Sequence, residues 1–109
     1  MRLQYLPIKT SSLPDSFRVS IAGVRLRFTI HYNPEGDFYT ATIADRQGEL
    51  ILSHRPFVYG ADLLAGVVDD RLPKDVHIIP LDIAGVQSVC NKATFMVDVF
   101  PFIFEEGSL

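Results

Sequence analysis

The chain has little of what most catalytic and metal-binding motifs require. Its 109 residues include one cysteine and no tryptophan, and its three histidines (His31, His54 and His77) stand far apart. A single cysteine excludes an internal disulfide and fits synthesis in a reducing host cytoplasm. No apolar run approaches the roughly 20 residues that span a bilayer. The apolar run at the start of the sequence is too short for a signal peptide and is interrupted by Pro7. We therefore expect no membrane contact.

Residues with suitable chemistry are present, but they lack the spacing of a site. The histidines could bind zinc or iron together with Asp69, Asp70 or Asp82, yet no His-x-His or His-x-x-x-His pair occurs. The side chains of Asp69 and Asp70 would point to opposite faces of an extended segment, so a turn in which Arg71 pairs with one carboxylate is favoured. Cys90 is expected to be a buried small apolar residue. We therefore predict that the chain is not an enzyme and that it binds neither a metal ion nor a cofactor.

Charge is modest and unevenly distributed. The net charge is −3, with +2 carried by residues 1–60 and −5 by residues 61–109. A generic or sequence-specific nucleic-acid surface is not expected from this balance. Arg18, Arg25 and Arg27 could nevertheless share one face of a two-stranded ribbon, where they could bind an anion or RNA.

An antiparallel meander is the clearest structural pattern. Apolar and polar residues alternate through Phe17–Ile21 and again from Val24 to Tyr32, as in half-buried strands. Asn33–Gly36 predicts a hairpin turn in which Gly36 adopts left-handed backbone geometry. Asp45–Gly48 repeats that construction before a further strand over Glu49–Ser53.

The remaining segments complete a single β domain over residues 1–109. An N-terminal arm (residues 1–14) could add an edge strand at Gln4–Ile8, and residues 61–68 form either a short helical turn or a strand. Val76–Asp82 predicts a strand interrupted at Pro80, at an edge or a bulge, and Ala93–Phe104 predicts a closing strand. The predicted fold is all-β: an antiparallel meander forming a small sandwich or open barrel, with at most one or two short helical turns.

The end of the chain is unusually apolar. In the tail of residues 100–109, the run Phe100–Phe104 does not alternate with polar residues. Non-alternating aromatic residues near a terminus can finish a core or contact a partner. We favour partner contact for Phe100, Phe102 and Phe104, and therefore expect truncation after Pro101 to leave a folded body that associates more weakly.

Five short motifs carry a resemblance to a known family. They are Tyr5-Leu6-Pro7-Ile8, Phe17…Ile21-Ala22-Gly23, Tyr32-Asn33…Gly36-Asp37-Phe38-Tyr39, Tyr59-Gly60…Val67-Val68-Asp69-Asp70-Arg71-Leu72-Pro73 and Ile79-Pro80-Leu81-Asp82. In this order the chain resembles, from about residue 3 to residue 100, the baseplate plug family of compact contractile-tailed cyanophages and of related phages and prophages. Residues 102–109 lie outside the resemblance.

The resemblance implies a structural component of the virion tail baseplate. Such a plug would sit on the tail axis at the hub and close the tube channel until infection. Hub and tube proteins would be its partners, and a homotrimer is expected. The family loop geometry would be set by six residues: Tyr59, Asp69, Asp70, Arg71, Leu72 and Pro73.

Two alternative functions, each from a different class of protein, remain open. A free-standing phage or prophage β-domain could bind a small ligand or nucleic acid through Arg18, Arg25 and Arg27. An enzyme subunit with His77 and Asp82 in a site is a more distant possibility.

Overall fold

The fold consists of seven strands in two antiparallel sheets. A computed structural model describes residues 4–105, so residues 1–3 of the arm and 106–109 of the tail lie outside the described part. No helix forms within it, and the all-β prediction is confirmed. The strands are β1 (Gln4–Tyr5), β2 (Asp15–Ile21), β3 (Val24–Asn33), β4 (Phe38–Asp45), β5 (Leu50–Pro56), β6 (Val76–Leu81) and β7 (Phe100–Glu105).

The predicted meander is the four-stranded sheet, ordered β2-β3-β4-β5. Its first pair runs without interruption from Asp15 opposite Ile30 to Ile21 opposite Val24. The alternation works as expected, because Phe28 and its neighbours two residues away are buried while the residues between them face outward. This sheet therefore has one apolar face against the core and one polar face.

The turns use residues that tolerate left-handed backbone geometry. Ala22 and Gly23 connect β2 to β3 with φ angles of 51° and 81°, which suits a two-residue hairpin turn. In the β4–β5 turn, the Asp45 carboxylate accepts N–H groups from Gln47 and Glu49, both at 2.9 Å. Gly48 has φ of 87° there, so this predicted turn is confirmed.

The reversal at Asn33–Gly36 is also present, but Gly36 serves another purpose than predicted. The left-handed residue is Asp37, with φ of 52°, and not Gly36. A side chain at Gly36 would instead place its Cβ 2.3 Å from Cε1 of Phe38. Gly36 thus leaves room for the Phe38 ring, which would have to move aside for a larger residue.

We expect Gly36→Ala to lower the free energy of unfolding by about 1 kcal/mol, because the Phe38 ring must move aside. In a Phe38→Ala background the same substitution should be neutral or slightly stabilising, since Ala restricts the unfolded chain. Urea denaturation of the four proteins measures this coupling. An equal cost in both backgrounds would contradict the role given to the ring.

The second sheet joins the two ends of the described chain, in the order β1-β7-β6. Its strands contain two prolines directly opposite each other, Pro80 and Pro101. The Pro101 carbonyl accepts the N–H of Leu6 and the Pro80 carbonyl accepts that of Gly60. Both prolines thus direct their backbone polar groups away from the β6–β7 contact, so their missing N–H groups cost no bond there.

The outer edge of β6 is covered by the chain that precedes it. Leu63 donates its N–H to the Ile78 carbonyl at 2.8 Å, and the Ile78 N–H is bound by the Asp62 carboxylate at 3.0 Å. The edge position, one of the two predicted for the proline-containing strand, is confirmed, but the predicted interruption at Pro80 is wrong because β6 runs through it. This cover protects a strand edge that would otherwise offer unpaired backbone groups.

Two segments differ from the predicted elements. Residues 61–68 form successive turns, with neither strand nor helix. The strand predicted from Ala93 begins only at Phe100, because Asn91 and Thr94 hold the preceding residues in a compact loop. The Asn91 side chain accepts the N–H groups of Ala93 and Thr94 at 3.0 and 3.2 Å.

One core connects both sheets and the loops between them. Phe28 and Ile43 enter it from the four-stranded sheet, Leu6 and Ile78 from the side of the three-stranded sheet, and Phe95 from the loop before β7. All five side chains are at most 1% exposed. Among residues 4–105 there is no helix with the length and apolar character to cross a bilayer.

Candidate assembly surface

The outer face of the three-stranded sheet carries mainly apolar side chains, with His77 opposite Phe104 as its polar member. Strand register places Tyr5 and Ile79 on either side of Phe102, and Leu81 lies opposite Phe100. The rings of Tyr5 and Phe100 are 4.8 Å apart between centroids. We call this set, together with Phe104, the aromatic face: Tyr5, Ile79, Leu81, Phe100, Phe102 and Phe104.

The register also explains the apparent loss of alternation in Phe100–Phe104. Pro101 and Ile103 point toward the interior, while the phenylalanines lie on the aromatic face. β7 is the central strand of its sheet, and strands apolar on both faces show continuous apolar runs. The described part of the tail is therefore a strand of the fold and not a projecting arm.

The predicted contact residues differ in how much surface they offer. Phe102 is 5% exposed, because Tyr5 and Phe100 flank its ring. Phe100 and Phe104 are half-buried, and Tyr5, which was not predicted, is 46% exposed. Contact with a partner stays a prediction. Within the predicted set, Phe100 and Phe104 have the surface for it.

The predicted loop residues form a clamp around Arg71. Its guanidinium donates to Asp69 at 2.7 Å, to Asp45 at 3.1 Å and to the Leu50 carbonyl at 3.1 Å. The expected pairing of Arg71 with one of the two neighbouring carboxylates is present, with Asp69 as the partner. Asp45 and Leu50 lie on the β4–β5 hairpin. Arg71 thereby ties the loop before β6 to the other sheet.

Ionisation of the clamp follows from these hydrogen bonds. Donation from Arg71 lowers the pKa of Asp69 to about 2. The pKa of Asp45 is lowered first by the Glu49 N–H and further by Arg71. The two carboxylates raise the pKa of Arg71 in turn, with Asp69 contributing most. All three groups are charged at neutral pH.

Acid should release this clamp. The pKa of Asp69 is near 4 in the unfolded chain and about 2 in the folded protein. The stability that its interaction with Arg71 provides is therefore complete above about pH 4 and is lost as the pH falls toward 2. We expect the thermal midpoint of the wild type to fall more steeply between about pH 5 and pH 2 than that of Arg71→Gln. Parallel profiles for the two proteins would contradict the clamp.

The other predicted loop residues are not all brought together. Leu72 is buried beside the clamp, Pro73 is half-buried and Asp70 is exposed. Tyr59 lies elsewhere, where its hydroxyl accepts the N–H of Asp82 at 3.4 Å, beyond the end of β6. The sequence order of these residues did not reveal this separation.

The geometry gives no support to an enzyme site of His77 with Asp82. His77 pairs with Asp62, Nδ1 to Oδ2 at 2.8 Å. The Asp82 carboxylate is occupied by N–H groups of the following turn, including Gln87 at 2.8 Å, which lower its pKa. The two side chains therefore do not form the joint site of that alternative.

The remaining candidates are similarly dispersed. The rings of His31 and His54 lie 5.1 Å apart between centroids, tilted by 34°. The described residues nevertheless contain no cluster of three or more His, Cys, Asp or Glu side chains suited to a metal ion. Cys90 is half-buried and not fully buried as expected. Burial raises the pKa of its thiol to about 12, which disfavours a nucleophilic thiolate.

A family model described as "Cyanophage baseplate Pam3 plug gp18" matches residues 3–106. The chain belongs to this baseplate plug family. The resemblance drawn from the short motifs is confirmed, and the match extends through β7, which had been placed outside it. Family membership makes the chain a baseplate component of a structural protein family with baseplate partners. No curated protein and no solved structure matches the chain.

Proposed function

We propose that this protein is an axial plug at the baseplate hub, which closes the tail tube channel until infection. The observation that carries the proposal is the family match across residues 3–106. The two sheets share one core, and the Arg71 clamp and Asp62 hold the long loops to it. A rigid body of this kind suits mechanical closure, and we assign it no catalytic residue.

We propose that the aromatic face binds the hub. Half-buried Phe100 lies beside Tyr5, which is 46% exposed, and half-buried Phe104 lies further along the same face of β7. Aromatic side chains are enriched in the centres of protein interfaces, and contiguous apolar surface is uncommon on monomers. A hub protein is the occupant that we favour, because the family is a baseplate family.

Electron cryomicroscopy of whole particles tests the axial position. Density for this fold should lie on the tail axis beneath the tube before adsorption and should be displaced after genome release. Density at the baseplate periphery, or density unchanged on the axis after release, would overturn the plug function.

Copurification with hub and tube proteins tests the contact surface. Tyr5→Ser and Phe104→Ser should each weaken hub binding, whereas Val68→Ser should not, because Val68 is 97% exposed and lies outside the aromatic face. Melting curves establish that each variant is folded. If both variants bind the hub as the wild type does, the aromatic face is not the contact.

We further propose that the plug is a homotrimer. The uneven charge, +2 in residues 1–60 and −5 in residues 61–109, would suit head-to-tail contacts around a ring. Light scattering during gel filtration gives the mass directly. A monomer, both alone and in the hub complex, would contradict the trimer.

A further inference from the structure

Four arginines surround one concavity on the four-stranded sheet. Strand register places Arg18 directly opposite Arg27 and places Arg25 opposite Ser20, so the shared face predicted for these three arginines is confirmed. Arg46, from the β4–β5 turn, lines the same concavity, whose volume is about 470 Å³. We call it the arginine concavity.

This concentration of charge is unusual for the chain. The arginine concavity holds four of its ten Lys and Arg residues, although the protein has a net charge of −3. Arg18 and Arg27 are like charges directly opposite each other on paired strands, an arrangement that destabilises a sheet. In the isolated chain these two guanidinium groups repel each other, and a bound anion would reduce that repulsion.

Among residues 4–105, no carboxylate forms an ion pair with these four arginines. Asp45 lines the concavity, but its carboxylate is already bound by Arg71 and by N–H groups of its own turn. Arg27 is oriented by a bond from Nε to the Ser16 hydroxyl at 3.1 Å. That contact uses Nε and leaves the two terminal nitrogens of the guanidinium available as donors.

We propose that the arginine concavity binds a phosphate-bearing anion. Guanidinium groups match phosphate oxygens in pairs, and a phosphate presents several strong acceptors at high charge density. The apolar side chains on its walls are inward-facing Val19 and Leu26, and Leu26 is only 2% exposed. The site thus lacks the exposed apolar anchor typical of a protein interface and the aromatic platform on which a nucleobase stacks.

The site recognises phosphate groups and not the remainder of the ligand. Free phosphate compounds and the backbone of a nucleic acid share this chemistry, and an acidic protein segment does not. The inference goes beyond the plug function, because the arginine concavity lies on the other sheet from the aromatic face.

Calorimetric titration of the full chain with pyrophosphate at low salt provides the test. Arg18→Gln and Arg27→Gln should each weaken binding by about tenfold or more, as expected for loss of a charge-assisted hydrogen bond. Lys74→Gln is the matched control, since it removes the same charge from an exposed position outside the concavity. No binding, or equal losses in all three variants, would overturn the proposal.

Two further probes distinguish the sources of phosphate. One probe is an oligothymidylate of twelve nucleotides. If it binds more tightly than pyrophosphate, and its affinity falls steeply as the salt concentration rises, the site is assigned to a nucleic-acid backbone. Tighter binding of pyrophosphate assigns it to a free phosphate compound. A polyglutamate peptide that binds as well as either would overturn phosphate recognition.

The melting curve offers an independent readout without any ligand. Arg18→Gln should melt at or above the wild-type temperature at low salt, because it removes the repulsion with Arg27. Pyrophosphate should then raise the wild-type melting temperature by more than that of the variant. A variant that melts lower, and is stabilised by pyrophosphate as strongly as the wild type, would contradict the site.

Discussion

Truncation after Pro101 is expected to unfold the protein. It removes most of β7, the central strand of the three-stranded sheet, and leaves β1 and β6 without a common partner. Phe102 is 5% exposed, and half-buried Ile103 packs against the core. Fully burying a side chain of this size contributes roughly 1.5–3 kcal/mol, and partial burial contributes a share of that. With the ladder bonds also lost, the cost approaches the whole stability of a typical domain, about 5–15 kcal/mol.

Circular dichroism and thermal melting of the truncated chain measure this effect. The matched control is truncation after Glu105, which leaves all seven strands in place and should melt like the full chain. Sequence patterns alone predicted the opposite result, a folded body with weakened association. A cooperative transition at the wild-type temperature after truncation at Pro101 would restore that interpretation.

The strands of the meander were predictable because their information is local. Alternation in Phe17–Ile21 and in the following strand identifies a buried face, and Asp45–Gly48 contains the side chain and the glycine that its turn needs. Gly36 shows the limit of this argument. Its position in the turn was evident, but the approach of the Phe38 ring depends on tertiary packing.

The long loops were not predictable, because single polar side chains hold them by contacts with distant backbone. Asp62 binds the N–H of Ile78, 16 residues later, and Asp37 binds that of Lys92, 55 residues later. No periodic pattern records such bonds. The loop before β7 was mistaken for a strand for a different reason: its apolar residues alternate as in a strand, and the local bonds of Asn91 and Thr94 override that pattern.

The candidate surfaces were partly predictable for related reasons. The face shared by Arg18 and Arg27 follows from strand periodicity, whereas Arg46 joins it only through the meeting of two hairpins. The aromatic tail was recognised as significant from composition. Its pairing with Tyr5, at the other end of the described chain, requires a contact that local sequence does not encode.

Phe95→Ala is expected to have the largest effect of any single substitution considered. Phe95 is 1% exposed, and its ring lies 4.7 Å from that of Tyr39 and 5.1 Å from that of Phe57. It is the fully buried aromatic residue of the loop before β7, and Cys90 and Met96 of the same loop also pack against the core. Removing a buried phenylalanine costs about 3–5 kcal/mol, because the lost transfer energy is joined by the cost of a cavity.

Urea denaturation measures the loss, and Val97→Ala in the same loop is the control. Val97 is 65% exposed, so its substitution should change the free energy of unfolding by about 0.5 kcal/mol or less. A Phe95→Ala loss below about 1.5 kcal/mol would mean that Tyr39 and Phe57 repack without the ring. The loop would then be fastened mainly by Asn91 and Thr94, and its aromatic contact would be incidental to the fold.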